Sequence, residues 1–254
     1  MVEYFGAAGD GVADDTKPLQ AGIDAALRAG TVCFIPRGTY RVTAPLLVNL
    51  GTYGIESSLR IESDWATIRA SGPSGYSQPR PAPAAMESII NVTIASHLTM
   101  VRLLLDGNNG TATYGLRGFK ISGAQAHISQ VTVVGARSHG FLLEACQVSY
   151  WDHLISQSNG GDGLYIRGAN GASFTHLTAQ ANGGNGIRME GMTWINLMGK
   201  PEVYSGGAYL SEFSSESNNL DGVNVANGNF PSIPGFRLAL ICSMSSIETP
   251  GIAG

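Results

Sequence analysis

Between residues 118 and 225 short runs of alternating apolar and polar positions return at a regular step, each opened by glycine. They read Gly118-Phe119-Lys120-Ile121, Gly140-Phe141-Leu142-Leu143, Gly163-Leu164-Tyr165-Ile166, Gly186-Ile187-Arg188-Met189 and Gly222-Val223-Asn224-Val225. The steps are 22, 23, 23 and 36 residues, the last being one repeat plus a 13-residue insertion. Val131, Leu154, Leu177 and Phe213 keep the same steps, and so do Asn159, Asn182 and Asn218. Independent columns in one register define an internal repeat, and repeats of this length build solenoids. Two-residue alternation marks strands, and clusters such as Asn159-Gly160-Gly161-Asp162-Gly163 are turn chemistry. No repeat holds a helix-length periodic stretch, and the Leu/Asn spacing of a leucine-rich repeat is missing. The pattern predicts a parallel β-helix in which each repeat is one coil and equivalent residues stack about 4.8 Å apart.

In that register Phe119, Phe141, Leu164, Ile187 and Val223 point inward, as do Ile121, Leu143, Ile166, Met189 and Val225, and Val131 with its column. The asparagines form a side-chain amide ladder inside a turn, a structural feature.

Before the repeats, Leu19, Ile23, Ala26 and Leu27 recur at helical spacing. Asp15 or Thr16 is the expected N-cap, Pro18 suits the first turn and Gly30 is the stop signal, which gives a helix over about 16–29. This helix is expected to cover the open apolar end of the first coil, since terminal repeats need caps. Short strands are predicted at 31–35 and 39–42, with more strands over 44–70. Residues 71–85 form a proline-rich projecting loop, 89–94 and 98–105 the first long coil, and 109–117 a second loop. Residues 227–235 read as a loop, 236–242 as an apolar strand and 243–254 as a weakly structured end. No C-terminal cap is evident, so that end is expected to be covered by another subunit or to continue in a longer protein. The layout is one domain over 1–254: a cap over 1–45, coils over 46–226, and a strand and tail over 227–254.

Composition narrows the function. The chain has 254 residues, 43% hydrophobic and only 13% charged, with 34 glycines. That suits a β-solenoid with Ser, Thr, Asn and Gln on its faces. The net charge of -4 and the lack of a basic run argue against nucleic-acid binding. No apolar run reaches transmembrane length, and the start lacks a charged-then-apolar signal sequence. Cys33, Cys146 and Cys242 have no metal-type spacing and read as buried thiols.

Two outward strips carry candidate chemistry. In the first, Ser122, Glu144, Arg167, Glu190 and Ala226 share a column, and Lys120, Leu142, Tyr165, Arg188 and Asn224 share the one two residues earlier. Glu144 and Glu190 lie two coils apart, about 9–10 Å between backbones. Paired carboxylates about 6.5–9.5 Å apart suit inverting glycoside hydrolysis. The same strip suits a lyase, with Arg167 neutralising a uronate and Tyr165 or an arginine handling the proton. It also reads as a surface charge ladder. The expected catalytic set is Glu144, Glu190, Arg167 and Tyr165, with Arg188 and His139 in substrate binding. The second strip is Gln130, His153, His176 and Glu212, with Asp152 beside His153. His153, His176 and Glu212 are expected to bind substrate, and no metal site is predicted.

The opening Phe5-Gly6-Ala7-Ala8-Gly9-Asp10-Gly11-Val12-Ala13-Asp14-Asp15-Thr16, followed by Leu19-Gln20-Ala21 and Ile35-Pro36-Arg37-Gly38-Thr39-Tyr40, resembles the start of pectate-lyase-like superfamily proteins. That group includes phage tailspike depolymerases, polygalacturonase-like enzymes and mannuronan C5-epimerases. The resemblance covers the first 45 residues strongly and the later coils in style. Leu103-Leu104-Leu105-Asp106-Gly107-Asn108 is similar to a coil-closing segment of the epimerase branch. The resemblance implies an all-β fold, a single-stranded right-handed parallel β-helix with a short N-terminal capping α-helix. It implies action on acidic, capsular or cell-surface polysaccharide, by a glycoside hydrolase or polysaccharide lyase, in an extracellular or virion-associated setting. A homotrimer is the oligomer it suggests. No cofactor is firmly implied, with Ca2+ left open, and neither nucleic acid nor membrane is an expected partner. The epimerases carry catalysis on a Tyr-Gly-Phe-Asp-Pro-His segment. The corresponding stretch here is His139-Gly140-Phe141-Leu142-Leu143-Glu144, which keeps Gly-Phe but holds Leu142 and Glu144 at the Asp and His positions. Of the polygalacturonase pattern, only Ser138-His139-Gly140 echoes the final Gly-His-Gly. The alternative is a non-catalytic carbohydrate-binding or structural β-helix segment of a viral fibre or cell-surface protein.

Overall fold

The computed structural model describes residues 2–50, 58–71, 88–108, 117–195, 201–204 and 208–225. The expected loops at 71–85 and 109–117, apart from Ser71 and Arg117, lie outside these residues, as do the expected strand and tail at 227–254.

A 3-10 turn at Val2–Phe5 and strand β1 (Asp10–Asp14) lead into helix α1 (Thr16–Ala29). Leu19, Ile23, Ala26 and Leu27 are all buried, the stripe that helical spacing calls for. Gly30 ends the helix in the left-handed region at φ 61°, its N–H turned back toward the carbonyls of Ala26 and Leu27. Asp15 occupies the N-cap position but does not cap with its side chain. Its buried carboxylate instead accepts the N–H groups of Ala8 at 2.7 Å and Gly9 at 3.1 Å, tying down the turn before β1. The Thr16 N–H goes to Asp14 at 3.1 Å. Gln20 extends the helix's covering role: its amide accepts from the Leu47 N–H and donates to the Leu47 carbonyl, both at 2.8 Å. One side chain thereby occupies the backbone groups that a further strand would use.

The next strands are β2 (Val32–Ile35), β3 (Thr39–Val42), β4 (Leu46–Asn49), β5 (Ser58–Ala70), β6 (Ser88–Asp106) and β7 (Arg117–Val134). β1 stacks in parallel on β3, β2 and β3 both stack on β5, and β4 stacks on β6, so parallel stacking already begins at Asp10. The two runs expected at 89–94 and 98–105 form the single strand β6, with an irregularity in register between Ala95 and His97. Then follow β8 (Phe141–Glu144), β9 (Tyr150–Gln157), β10 (Leu164–Arg167), β11 (Ala172–Gln180) and β12 (Ile187–Glu190). An antiparallel pair, β13 (Met192–Ile195) with β14 (Pro201–Tyr204), fills the insertion that lengthens the last repeat. β15 (Ala208–Glu216) and β16 (Val223–Val225) resume the coils.

The observed register matches the sequence columns. Phe119, Phe141, Leu164, Ile187 and Val223 are successive partners, as are Val131, Leu154, Leu177 and Phe213. The first four of the Phe119 column are fully buried. Trp151 stacks on Phe174 at 6.0 Å between ring centroids within the core. In the last described coil the expectation weakens: Val223 is half-buried and Val225 is 38% exposed.

The asparagine ladder explains the glycines. Asn159 donates through Nδ2 to Asn182 Oδ1, and Asn182 through Nδ2 to Asn218 Oδ1, each at 2.9 Å. The backbone N–H of Asn159 and of Asn182 goes to the same acceptors. A Cβ on Gly140 would sit 2.1 Å from Ser156 Oγ, 2.7 Å from the Gly163 carbonyl and 2.8 Å from Asn159 Nδ2. Gly163 and Gly186 face equivalent obstructions one and two coils on. At Gly140, Gly163 and Gly186 the amide ladder and the next coil's backbone fill the space a side chain would need.

Candidate functional site

Strands β8, β10 and β12 lie side by side in parallel register, so residues pointing outward on them form rows across the coils. One row is Glu144, Arg167 and Glu190. The Arg167 guanidinium lies between the two carboxylates, with Nη1 at 2.9 Å from Glu144 and Nε at 2.8 Å from Glu190. Lys120 adds a second cation 3.3 Å from Glu144. The gap that the spacing reserves for a water therefore holds a cation in this structure.

The neighbouring row is Lys120, Leu142, Tyr165 and Arg188. Leu142 is buried, so the position matching the epimerase acid is an apolar plug under the strip. The Tyr165 hydroxyl hydrogen-bonds Glu190, and the Arg188 guanidinium lies 4.6 Å from the Tyr165 ring centroid while donating to Glu190 at 3.0 Å. Desolvation works against ionising Glu190, but the Tyr165 hydrogen bond and the charges of Arg188 and Arg167 outweigh it and hold the carboxyl below its ordinary range. Burial, reinforced by Glu190, pushes Tyr165 up to about 12, so its hydroxyl stays protonated.

His139 closes the strip from the preceding turn. Its ring centroid lies 5.1 Å from that of Tyr165, and its Nδ1 accepts the Asp162 N–H at 3.0 Å. Burial lowers the His139 pKa, with Asp162 opposing the shift. A 23-residue step aligns His139 with Asp162 and Asn185 in the sequence, where the Asn-Gly-Gly-Asp-Gly context marks Asp162 only as a turn residue. Asp162 accepts from the backbone and side chain of Asn185 at 2.7 and 2.8 Å and leaves Oδ2 facing His139 at 3.3 Å. It is the site residue the sequence reading missed.

Glu144, Glu190, Arg167, Tyr165, Arg188 and His139 thus gather on one face, whereas His153, His176 and Glu212 do not join them. Those three sit in the column that breaks β9, β11 and β15, each in the left-handed region, at φ 50°, 51° and 52°. The column is the corner between two runs of each coil. There the two imidazoles stack with centroids 4.3 Å apart. Each directs Nδ1 at Asp152, at 2.7 Å from His153 and 2.8 Å from His176, while His176 Nε2 meets Glu212. Partial desolvation of Asp152 is outweighed by hydrogen bonds from Thr175, His153 and His176, which bring its pKa to about 2. A separate groove of about 470 Å³ runs along the asparagine turns, lined by Arg137, Ser158, Gly160, Asn182 and Asn219 among others. It contains no residue of either cluster. Cys33 and Cys146 are buried free thiols, and burial raises both. Among the described residues, no helix is long and apolar enough to cross a membrane.

Mannuronan C5-epimerase AlgE2 of Azotobacter vinelandii is 46% identical over 61 residues, 24% of this chain. The chain spans only 6% of that relative's length by this match. Two solved structures are similar over most of the chain. ORF18 of Geobacillus virus E2 gives a TM-score of 0.59 at 19% identity, covering 89% of this chain and 50% of that one. The A-module of mannuronan C-5 epimerase AlgE4 of Azotobacter vinelandii gives 0.58 at 19% identity, covering 88% and 73%. At these identities the likeness is one of fold, that of a right-handed parallel β-helix. Residues 1–200, which take in the capping helix and the described coils through β12, match the family described as rhamnogalacturonase A/epimerase, pectate lyase-like, and the chain belongs to that family.

Proposed function

We propose that this protein depolymerises an anionic polysaccharide lying across β8, β10 and β12. The observation that carries the reading is the contiguous cluster of Arg188, Tyr165, Arg167 and Glu190, drawn from two neighbouring rows of one outward face, with His139 at its edge. Arg188 and Arg167, 35% and 37% exposed at their side chains, present N–H groups to a uronate carboxylate. Glu190 is kept ionised and serves as the base. Tyr165 is kept protonated and serves as the donor to the departing glycosidic oxygen. Glu144 fixes Arg167 from the other side. Membership of a family named for a rhamnogalacturonase and an epimerase, and a short match to a mannuronan epimerase, support a polysaccharide substrate. Polymers of this kind lie outside the cytoplasm, and an extracellular or virion-borne setting goes with this reading.

One observation favours a second reading. Arg167 already spends both edges of its guanidinium on Glu144 and Glu190, as a closed structural ladder would. On that reading the protein binds polysaccharide without cleaving it. Incubation with a panel of uronate and capsular polysaccharides separates the readings. New ultraviolet absorbance from unsaturated uronate marks elimination, and new reducing ends without it mark hydrolysis. Retention on the polymer with neither product overturns the catalytic reading.

A further inference from the structure

The corner cluster of Asp152, His153 and His176 lies apart from the strip and has no part in the chemistry proposed there. One ligand atom from each of the three lies within 4.8 Å of the others. Three features distinguish it from scattered surface histidines. First, the coil geometry repeats the same backbone conformation at both histidines, so their side chains leave the chain in parallel one coil apart. Second, Asp152 is already oriented: Thr175 donates its hydroxyl to Oδ1 at 2.7 Å, and the two Nδ1 atoms approach Oδ1 and Oδ2. Third, His176 Nε2 is held by a carboxylate from the following coil, Glu212. A metal-bound histidine commonly has such a carboxylate on its other nitrogen, where it fixes the tautomer and strengthens the ligand.

A divalent ion between Asp152 and the two Nδ1 atoms leaves the contact of His176 Nε2 with Glu212 in place.

We infer that Asp152, His153 and His176 bind one divalent transition-metal ion, with Glu212 as the outer carboxylate on His176, and that the ion clamps β9 to β11. Two imidazoles and a carboxylate suit Zn2+, Ni2+ or Cu2+. They do not suit Ca2+, which takes six to eight oxygen ligands. The side chains of His153 and His176 are 54% and 45% exposed, so water completes the coordination and the ion enters directly from solvent.

The test uses the full chain, free of any polyhistidine tag and stripped with chelator. Zn2+ and Ca2+ are titrated by calorimetry, and thermal unfolding is followed with each. His153→Asn and His176→Asn are the variants, because asparagine tolerates the left-handed corner conformation; His127→Asn, at an exposed histidine on β7 that packs against Tyr150 outside the cluster, is the control. The expected result is one Zn2+ per chain, a rise of several degrees in unfolding temperature with Zn2+ and none with Ca2+, and at least about 10-fold weaker Zn2+ binding in each corner variant. Equal unfolding temperatures in chelator show that the corner variants fold. Zn2+ binding unchanged by either corner substitution, or no binding at millimolar Zn2+, overturns the inference.

Discussion

Replacing Arg167 with methionine keeps the length and apolar stem of the side chain and removes the charge between two carboxylates. Glu144 and Glu190 are 14% and 17% exposed at their side chains, so water screens them only in part. Arg167 is itself 37% exposed, which places its ion pairs well below the strength of buried ones. Each of its two charge-assisted bonds then contributes about 1 kcal/mol. Neither carboxylate is orphaned by the change, since Lys120 remains at Glu144 and both Tyr165 and Arg188 remain at Glu190. The expected loss is about 2 kcal/mol, or about 4–8 °C in unfolding temperature for a chain of this size. In a Glu144→Gln/Glu190→Gln background the same substitution should cost about 0.5 kcal/mol or less, because the charges it compensated are gone. The pH dependence has a definite sign. Glu190 has a folded pKa below its ordinary 4.5, so its contribution is present in full above that value and is lost as pH falls through the folded pKa. The gap between wild type and Arg167→Met, read by denaturant unfolding with circular dichroism, should therefore hold at pH 7 and narrow below pH 4.5. Equal stability at pH 7, or an undiminished loss in the double-glutamine background, would refute the coupling of these three residues.

The asparagine ladder and its glycines give two further expectations. Asn182→Ala removes the acceptor of the Asn159 backbone and side-chain N–H groups and the donor to the Ser156 carbonyl, at a site only 1% exposed. With about 1–3 kcal/mol for each buried group left unmade, it should cost about 3–5 kcal/mol in denaturant unfolding, and a loss below about 1 kcal/mol would remove the ladder from the account. Gly140→Ala must displace Ser156 Oγ, which is itself fixed by the Gly163 carbonyl and Asn159, and should cost about 2–3 kcal/mol by the same measurement. A neutral Gly140→Ala would mean that the turn relaxes freely around the new methyl group.

Much of the fold was legible because a solenoid writes its contacts at a constant sequence interval. Once Gly140, Gly163 and Gly186 set the step, the partners of Leu154 or Ile166 followed by addition, and the register agrees. The helix was equally open, since its buried stripe and its terminal glycine are local signals. Less legible was what each repeated residue does. The glycines looked like turn residues, yet the obstruction at Gly140 comes from a side chain sixteen positions on and from the next coil's backbone. Asp15 looked like a helix cap, but its carboxylate serves the preceding turn while Asp14 takes the Thr16 N–H. At the strip, the columns placed Glu144, Arg167 and Glu190 together but left open whether arginine or water occupies the gap, because that depends on side-chain torsions. At the corner, alternation alone gave no sign that His153 and His176 share a left-handed conformation that stacks their rings.

The central claim is that an anionic polysaccharide is cleaved over the Glu144–Arg167–Glu190 strip. The direct measurement is turnover of a cleaved panel polysaccharide by wild type, Glu144→Gln and the corner control His153→Asn, with circular dichroism confirming that all three fold. The account predicts that Glu144→Gln abolishes depolymerisation, because Arg167 loses one of the two carboxylates that fix its orientation and is left with Glu190 alone, and that His153→Asn retains it. Undiminished cleavage by folded Glu144→Gln protein would contradict the account and move the chemistry off this face.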